Sequence, residues 1–356
     1  MDQNTAESVL GVKNDGISEQ PQDSHQDSFK NKSTKEKVIY MIKAIVIGQV
    51  LSLCIAGTST MTNSLTTNLG ISIPTTQSFF LYVLLMVVYV PYTYFKYGLV
   101  SLKYFKKIWY WYILLGFVDV EGNYFVVKAY NYTSLLSCAL LDVWTLPCVV
   151  LLTFVLFRVK YKLGQYTAIA FCLAGLGTLI YLDNKDDGNV AGPNPVKGDI
   201  FMIIGATFYA LSNILLEYIV RQRPVYETLG YLGVFGTIIN GIQLVSLELN
   251  EIRSVSWTAQ AVGYNAGFVI FMFLFYSLTP YLFRITSATF FNLSILTSDV
   301  YILVISIFVF ENKVSALYSI AFVLVVFGLL IFNISPTLAG KNIVKLPGFR
   351  RLENEV

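Results

Sequence analysis

Ile169-Ala170-Phe171-Cys172-Leu173-Ala174-Gly175-Leu176-Gly177-Thr178-Leu179-Ile180-Tyr181 returns 151 residues later as Ile320-Ala321-Phe322-Val323-Leu324-Val325-Val326-Phe327-Gly328-Leu329-Leu330-Ile331-Phe332, identical at seven of thirteen positions. The runs before them match as well. Thr133-Ser134 and Thr286-Ser287 each open an apolar run of 25 residues, ending at Phe157 and Phe310, at an offset of 153. Each half of the chain therefore closes on the same pair of apolar runs, and the fold is read as two copies of one unit.

Outward from these stretches the chain stays apolar. Of its 356 residues 55% are hydrophobic and 13% charged, against a charged share of about a quarter in soluble domains. A bilayer core is ~30 Å thick and takes roughly 20 apolar residues per helix. Such runs recur from Met41 to Pro336, more than a soluble core of this size can bury. Ten spans are expected, at about 39–61, 76–96, 108–128, 133–157, 164–182, 198–220, 228–248, 257–278, 286–310 and 316–334. Five fall in repeat one, about 39–182, and five in repeat two, about 198–334. An odd number of crossings turns the second copy over in the membrane. The expected fold is all-α integral membrane, with ten transmembrane helices as two inverted five-helix repeats. Inverted repeats suit a carrier, because exchanging the conformations of the halves exposes one site to the other side.

Residues 1–36 are rich in Gln, Asp, Ser, Asn and Lys and read as a disordered cytoplasmic tail. Residues 37–336 form the ten-helix domain, and 337–356 a second cytoplasmic tail. No apolar run ahead of a cleavage site marks a signal peptide. Twenty basic residues lie in the tails and on one set of loops, Lys96, Lys103, Arg158, Arg221, Arg223 and Arg284 among them. Five lie on the opposite side: Lys128, Lys185, Lys197, Arg253 and Lys313. The positive-inside rule then puts both termini in the cytoplasm. Plasma membrane and endomembrane both stay open.

Cys54, Cys138, Cys148 and Cys172 sit inside apolar runs, and the sole histidine, His25, is in the tail. No disulfide framework, zinc site or histidine catalysis is expected, and no metal or cofactor. No Gly-rich phosphate loop supports direct coupling to ATP.

A charge at the bilayer centre costs ~2.5–3.5 kcal/mol on insertion scales, so groups kept there usually face a cavity. Span three carries Asp119, Glu121, Asn123, Tyr124 and Lys128; span four carries Asp142; span nine carries Asp299 and Tyr301. Tyr209, Asn213 and Glu217 lie on one face of span six. The expected substrate-binding set is Glu121, Asn123, Tyr124, Lys128, Asp142, Tyr209, Asn213, Asp299 and Tyr301. Tyr124, Tyr209 and Tyr301 would stack on a planar ring, and the acids and Asn213 would fix it by hydrogen bonds. Glu121 and Asp142 are the candidates for proton coupling.

Plainer readings stand beside these. Lys128 would snorkel, Glu217 would pair with Arg221 at the surface, and Glu121 with Lys128 would be a structural salt bridge. Gly48, Gly57, Gly116, Gly175, Gly177, Gly205 and Gly328 read as helix-packing residues, and Pro147 as a bend in span four. An aspartyl protease on Asp142 and Asp299 is a second class, but Leu141 and Ser298 before the two acids do not fit it. A non-transporting scaffold is a third, and it has no need of several intramembrane acids.

Particular stretches carry a family likeness. They are Gly48-Gln49-Val50-Leu51-Ser52-Leu53-Cys54, Tyr112-Ile113-Leu114-Leu115-Gly116-Phe117-Val118-Asp119-Val120-Glu121-Gly122-Asn123-Tyr124, and Lys128-Ala129-Tyr130-Asn131-Tyr132-Thr133-Ser134. Gly198-Asp199-Ile200, Tyr209-Ala210-Leu211-Ser212-Asn213, Glu217-Tyr218-Ile219-Val220 and Thr286-Ser287-Ala288-Thr289 with Asn292-Leu293 extend it. On these the chain resembles the drug/metabolite transporter superfamily and, within it, solute carrier family 35, subfamily F, over about 39–337. The resemblance implies the ten-helix fold of inverted repeats and alternating access. It implies a small-molecule substrate, the lipid bilayer as surroundings, no nucleic acid, and leaves a homodimer open. Some subfamily F members are linked to nucleobase- or nucleoside-like cargo such as queuine and queuosine. A nucleotide-sugar antiporter is the alternative, although the motifs of those carriers are not visible here.

Overall fold

The computed structural model describes residues 34–97, 99–157, 162–185, 193–285, 288–310 and 316–334. Two compact units divide the chain, Met1–Ile45 and Val46–Val356. The described part of the first is the opening of helix α1; everything else belongs to the second. Of the two expected tails, residues 1–33 and 337–356 lie outside the described residues, and so do 286–287, which open span nine in the sequence.

The helices follow in order as α1 (Thr34–Leu69), α2 (Pro74–Tyr97), α3 (Leu99–Ala129), α4 (Leu135–Asp142), α5 (Thr145–Phe157) and α6 (Leu163–Lys185). Then come α7 (Pro195–Gln222), α8 (Val225–Gln243), a π-helical turn Leu244–Glu248, α9 (Leu249–Ser254), α10 (Ala259–Ile285), α11 (Ala288–Phe308) and α12 (Ala316–Ile334). No strand occurs among the described residues. Among the described residues six segments are long and apolar enough to cross a bilayer: Ile42–Leu69, Pro74–Tyr97, Leu135–Leu152, Pro195–Gln222, Val225–Ser254 and Ala259–Phe283. Leu163–Thr178, Thr297–Phe308 and Ser319–Gly328 are shorter apolar segments. With α3, which carries Lys103, Lys106, Lys107, Asp119, Glu121 and Lys128, they match in order the ten segments expected from the sequence. Phe95, Leu151, Ile242 and Val323 are exposed, as side chains that face lipid must be.

Burial places the centre. In α4–α5 61% of the spanning window is buried, against 28% in α2. This central span is not the continuous 133–157 helix of the sequence reading. It breaks after Asp142 and resumes at Thr145, and Pro147 explains where. Proline lacks an N–H and its ring clashes with the carbonyl four residues back, here that of Val143. The chain tightens instead: Leu146 N–H donates to Val143 O at 3.0 Å and Trp144 N–H to Leu141 O at 3.0 Å. The Thr133-Ser134 start expected for this span is a helix cap, with Ser134 Oγ accepting from Ser137 N–H at 3.0 Å.

The most extensive helix contacts join α2 to α8, α6 to α12, and α3 to α7. Small residues let the backbones approach. A Cβ added at Gly205 would lie 2.6 Å from Val126 Cγ2, and one at Gly175 2.7 Å from Val325 Cγ2. Gly177, aligned with Gly328 in the repeat, differs: nothing lies within 4 Å of its Cβ position. The packing role expected of it belongs to Gly175, while Gly328 meets Ala168 O at 2.7 Å.

Two carboxylates secure the helix ends. Glu248 accepts from the backbone N–H groups of Thr75 (2.6 Å) and Thr76 (2.9 Å) and from both hydroxyls, capping α2 from the π-helical turn. Arg223, a cytoplasmic loop charge in the sequence reading, is buried between α7 and α8. It donates to both Glu227 oxygens at 2.7–3.0 Å, and Tyr112 of α3 donates to Glu227 Oε1 at 2.8 Å.

Candidate functional site

A cavity of about 230 Å³ lies between α1, α3, α4, α5, α7, α10 and α11. Helices of both repeats wall it. Four carboxylates reach its lining, Asp119, Asp142, Glu217 and Asp299, and no described Lys, Arg or His does. The hydroxyls of Thr58, Ser59 and Thr62 supply the α1 wall, and Tyr130, Tyr209 and Tyr276 add aromatic surface.

On one side of the cavity α3 carries a buried polar junction. Asp119 Oδ2 accepts from Tyr82 OH of α2 at 2.8 Å and from Tyr276 OH of α10 at 2.7 Å; its Oδ1 accepts from Ser212 of α7 at 2.7 Å. One turn on, Asn123 Nδ2 donates to Tyr82 OH (2.7 Å) and Tyr276 OH (2.9 Å), and its Oδ1 accepts from Tyr209 OH at 2.9 Å. Four helices meet in this network. Every polar atom of the Asp119 carboxylate is satisfied, so the group is held rather than left for a ligand.

The residues expected to bind substrate divide into groups. Asp142, Tyr209, Asn213 and Asp299 line the cavity. Asn123 sits behind it, holding Tyr209. Glu121 turns to Gln243 of α8, accepting from its Nε2 at 2.6 Å. Lys128 Nζ donates to Tyr124 OH one turn back and lies 5.6 Å from the Phe201 ring, so a cation–aromatic cluster takes the place of the suggested Glu121–Lys128 bridge. Tyr301 donates to Gln49 of α1 at 2.7 Å. Of the three tyrosines expected to stack on a ring, Tyr209 alone is on the cavity lining. Glu217 forms its surface pair with Arg221 at 2.6 Å while also reaching the cavity.

Several contributors were not read from the sequence. Tyr82, Ser212, Tyr276 and Thr279 lie on three helices, α2, α7 and α10, whose composition looks like ordinary apolar helix. The α1 hydroxyls did carry a signal, since Thr58-Ser59-Thr60 is a polar run inside a spanning segment. Three cavity groups, Asp142 Oδ1, Thr145 Oγ1 and Thr279 Oγ1, are buried with no hydrogen-bond partner among the described residues.

Comparison with known proteins agrees with this architecture. The model of solute carrier family 35 matches residues 36–334. The chain is 46% identical over 292 residues to an uncharacterized solute carrier family 35 member of Schizosaccharomyces pombe, covering 81% of this chain and 57% of that protein. It thus spans little more than half the length of that relative. It is 38% identical over 301 residues to solute carrier family 35 member F2 of Mus musculus, covering 83% of this chain and 80% of that one. The Xenopus tropicalis member F2 is 33% identical over 335 residues, covering 89% and 86%. A protein of known crystal structure shares the fold at a TM-score of 0.56 and 16% identity, over 81% of this chain and 96% of its own. The family match over nearly all of the helical chain, on a multi-pass all-α membrane architecture, shows that the chain belongs to solute carrier family 35.

Proposed function

We propose that the protein is a secondary transporter that moves a small polar organic solute through its central cavity by alternating access. The observation that carries this is the cavity itself: a largely apolar space bearing several acids, walled by helices of both repeats at the broken central span. Discontinuous helices at the interface of inverted repeats are where carriers of this kind hold cargo.

The lining narrows the cargo. At about 230 Å³ the cavity is below the roughly 300–1,000 Å³ of drug-sized pockets. A nucleobase- or nucleoside-like metabolite such as queuine or queuosine suits it, with Tyr209 and Tyr276 against the ring and Asn213 on an edge. A nucleotide sugar is disfavoured. Its diphosphate would enter a desolvated space with four carboxylates and no described cation, where like charges repel. Of the two coupling candidates, Asp142 is on the lining and Glu121 is not, so Asp142 is the residue through which proton coupling would run. The excess of basic residues on one side favours both termini in the cytoplasm.

Thermal unfolding of the detergent-purified protein against nucleobases, nucleosides and nucleotide sugars tests the reading. A ligand at a hundredfold excess over Kd stabilises the folded state by about 2.7 kcal/mol. The expected result is a shift with a nucleobase-like compound, lost in Asn213→Ala. Stabilisation by nucleotide sugars alone would replace the reading with the antiporter.

A further inference from the structure

We propose that Asp142 and Asp299, one acid from each repeat, form a cation subsite that takes the protonated amine of an organic cargo. The inference rests on the cavity being the cargo site.

The charge inventory of the lining leads there. Of its four carboxylates, Glu217 has Arg221 at 2.6 Å. Asp119 has three hydroxyl donors at 2.7–2.8 Å. Asp142 and Asp299 meet no Lys, Arg or His on the described lining. Two carboxylates in a space shielded from water need a counter-charge or a full set of donors. Asp142 lacks a counter-charge, and its Oδ1 and the hydroxyl of neighbouring Thr145 are both buried without a hydrogen-bond partner among the described residues. On the same lining Thr279, 2% exposed, carries a hydroxyl that is also unpartnered among the described residues. Buried polar atoms are nearly always satisfied, so these groups point to a ligand that brings N–H groups.

Backbone and aromatic groups favour the same sign. Asp142 is the last residue of α4 at the break in the central span. Helix carbonyl ends carry partial negative charge, and the C-terminal ends of broken helices face cations in carriers. Phe268, Phe275 and Tyr276 line the cavity and offer ring faces that attract cations. A protonated amine between the two acids would donate to both, and Thr279 Oγ1 would accept a third N–H.

The test compares matched probes that differ in charge, by titration calorimetry on the full chain in detergent. One pair is benzylammonium and benzyl alcohol; the other is an aminomethyl deazaguanine and its neutral cyano counterpart. The cationic member of each pair is expected to bind about 10- to 100-fold more tightly, the range of charge-assisted hydrogen bonds. That preference is expected to vanish in Asp142→Asn and in Asp299→Asn. Equal binding of charged and neutral members to the unaltered protein overturns the subsite, and this arm needs no variant to fold. A preference that survives both substitutions also overturns it, as does stabilisation by sodium ions with no binding of either amine. If benzylammonium shows the preference and neither deazaguanine binds, the subsite stands and the nucleobase cargo falls. If both deazaguanines bind alike, the cargo reading stands and the subsite falls.

Discussion

Removing Arg223 should destabilise the protein more than removing Arg223 and Glu227 together. The guanidinium and the carboxylate are each 1% exposed, joined at 2.7 Å, with a second bond to Glu227 Oε1 at 2.8 Å. In Arg223→Met, Glu227 stays buried with the Tyr112 hydroxyl at 2.8 Å as its remaining donor of the set described here. A buried ion pair broken on one side costs about 3–5 kcal/mol, because the other charge is left uncompensated. Replacing both partners by apolar side chains of similar volume is often neutral or better. Arg223→Met combined with Glu227→Leu is therefore expected to lie near the unaltered protein, although Tyr112 OH then loses its acceptor at about 1 kcal/mol. The two singles would sum to about 6–10 kcal/mol, so the coupling term is large and of a sign that additivity forbids. Equilibrium unfolding in a mixed detergent series, followed by tryptophan fluorescence, reads all four corners of the cycle. Two singles that each cost under about 1 kcal/mol, or a double that equals their sum, would refute the account.

Other expectations follow from particular contacts. Glu248→Ala should cost about 1–2 kcal/mol and expose the start of α2 to proteolysis, because four donors of Thr75 and Thr76 lose their acceptor; unchanged cleavage and stability would count against the cap. Gly328→Leu should lower the unfolding temperature by separating α6 from α12, whereas Gly177→Ala, with open space at its Cβ, should be neutral or gain up to about 1 kcal/mol from helix propensity. Tyr82→Phe and Tyr276→Phe each remove one donor to Asp119 Oδ2, at ~0.6–1.7 kcal/mol in a membrane interior. The pair combined should deviate from additivity in the same unfolding assay, since both share one acceptor atom.

The order of helices was legible because hydrocarbon thickness and apolar run length are linked by the rise of a helix, and the Ile169 and Ile320 copies divided the chain into halves. Local side-chain geometry was partly legible. Tyr124 and Lys128 stand at i and i+4, as do Glu217 and Arg221, and both pairs form. Arg223 and Glu227 have the same spacing, but a loop position suggested solvent, and burial is a property of how α3 covers that corner. The break at Asp142 was half legible. Pro147 announces a bend, and the steric argument moves it four residues upstream. Asp119 shows where sequence reasoning stops. Its depth suggested that it faces a cavity, yet whether an acid is held or free depends on Tyr82, Ser212 and Tyr276, which arrive from three other helices. No local pattern encodes those meetings.

The helix pairing constrains how such a molecule can alternate. In the sequence register α2 and α8 are equivalent spans of the two repeats, and so are α6 and α12; each pair packs on itself. An interface between equivalents is self-complementary under the pseudo-two-fold. Exchanging the conformations of the repeats maps it onto itself, so its close crossings can persist in both states. The α3–α7 interface behaves differently. Its symmetry counterpart is α1 with α10, which do meet, a Cβ at Gly57 falling 2.8 Å from the Phe271 ring. In the proposed alternation, exchange would turn one of these contacts into the other, so any asymmetry between them would reverse with the access side. Asp119 and Asn123 sit on the α3–α7 side, tied to α2 and α10. The junction therefore lies at one of the two interfaces that the proposed alternation would exchange, and Asp142 and Asp299 line the cavity that the α1, α3, α7 and α10 helices help to wall.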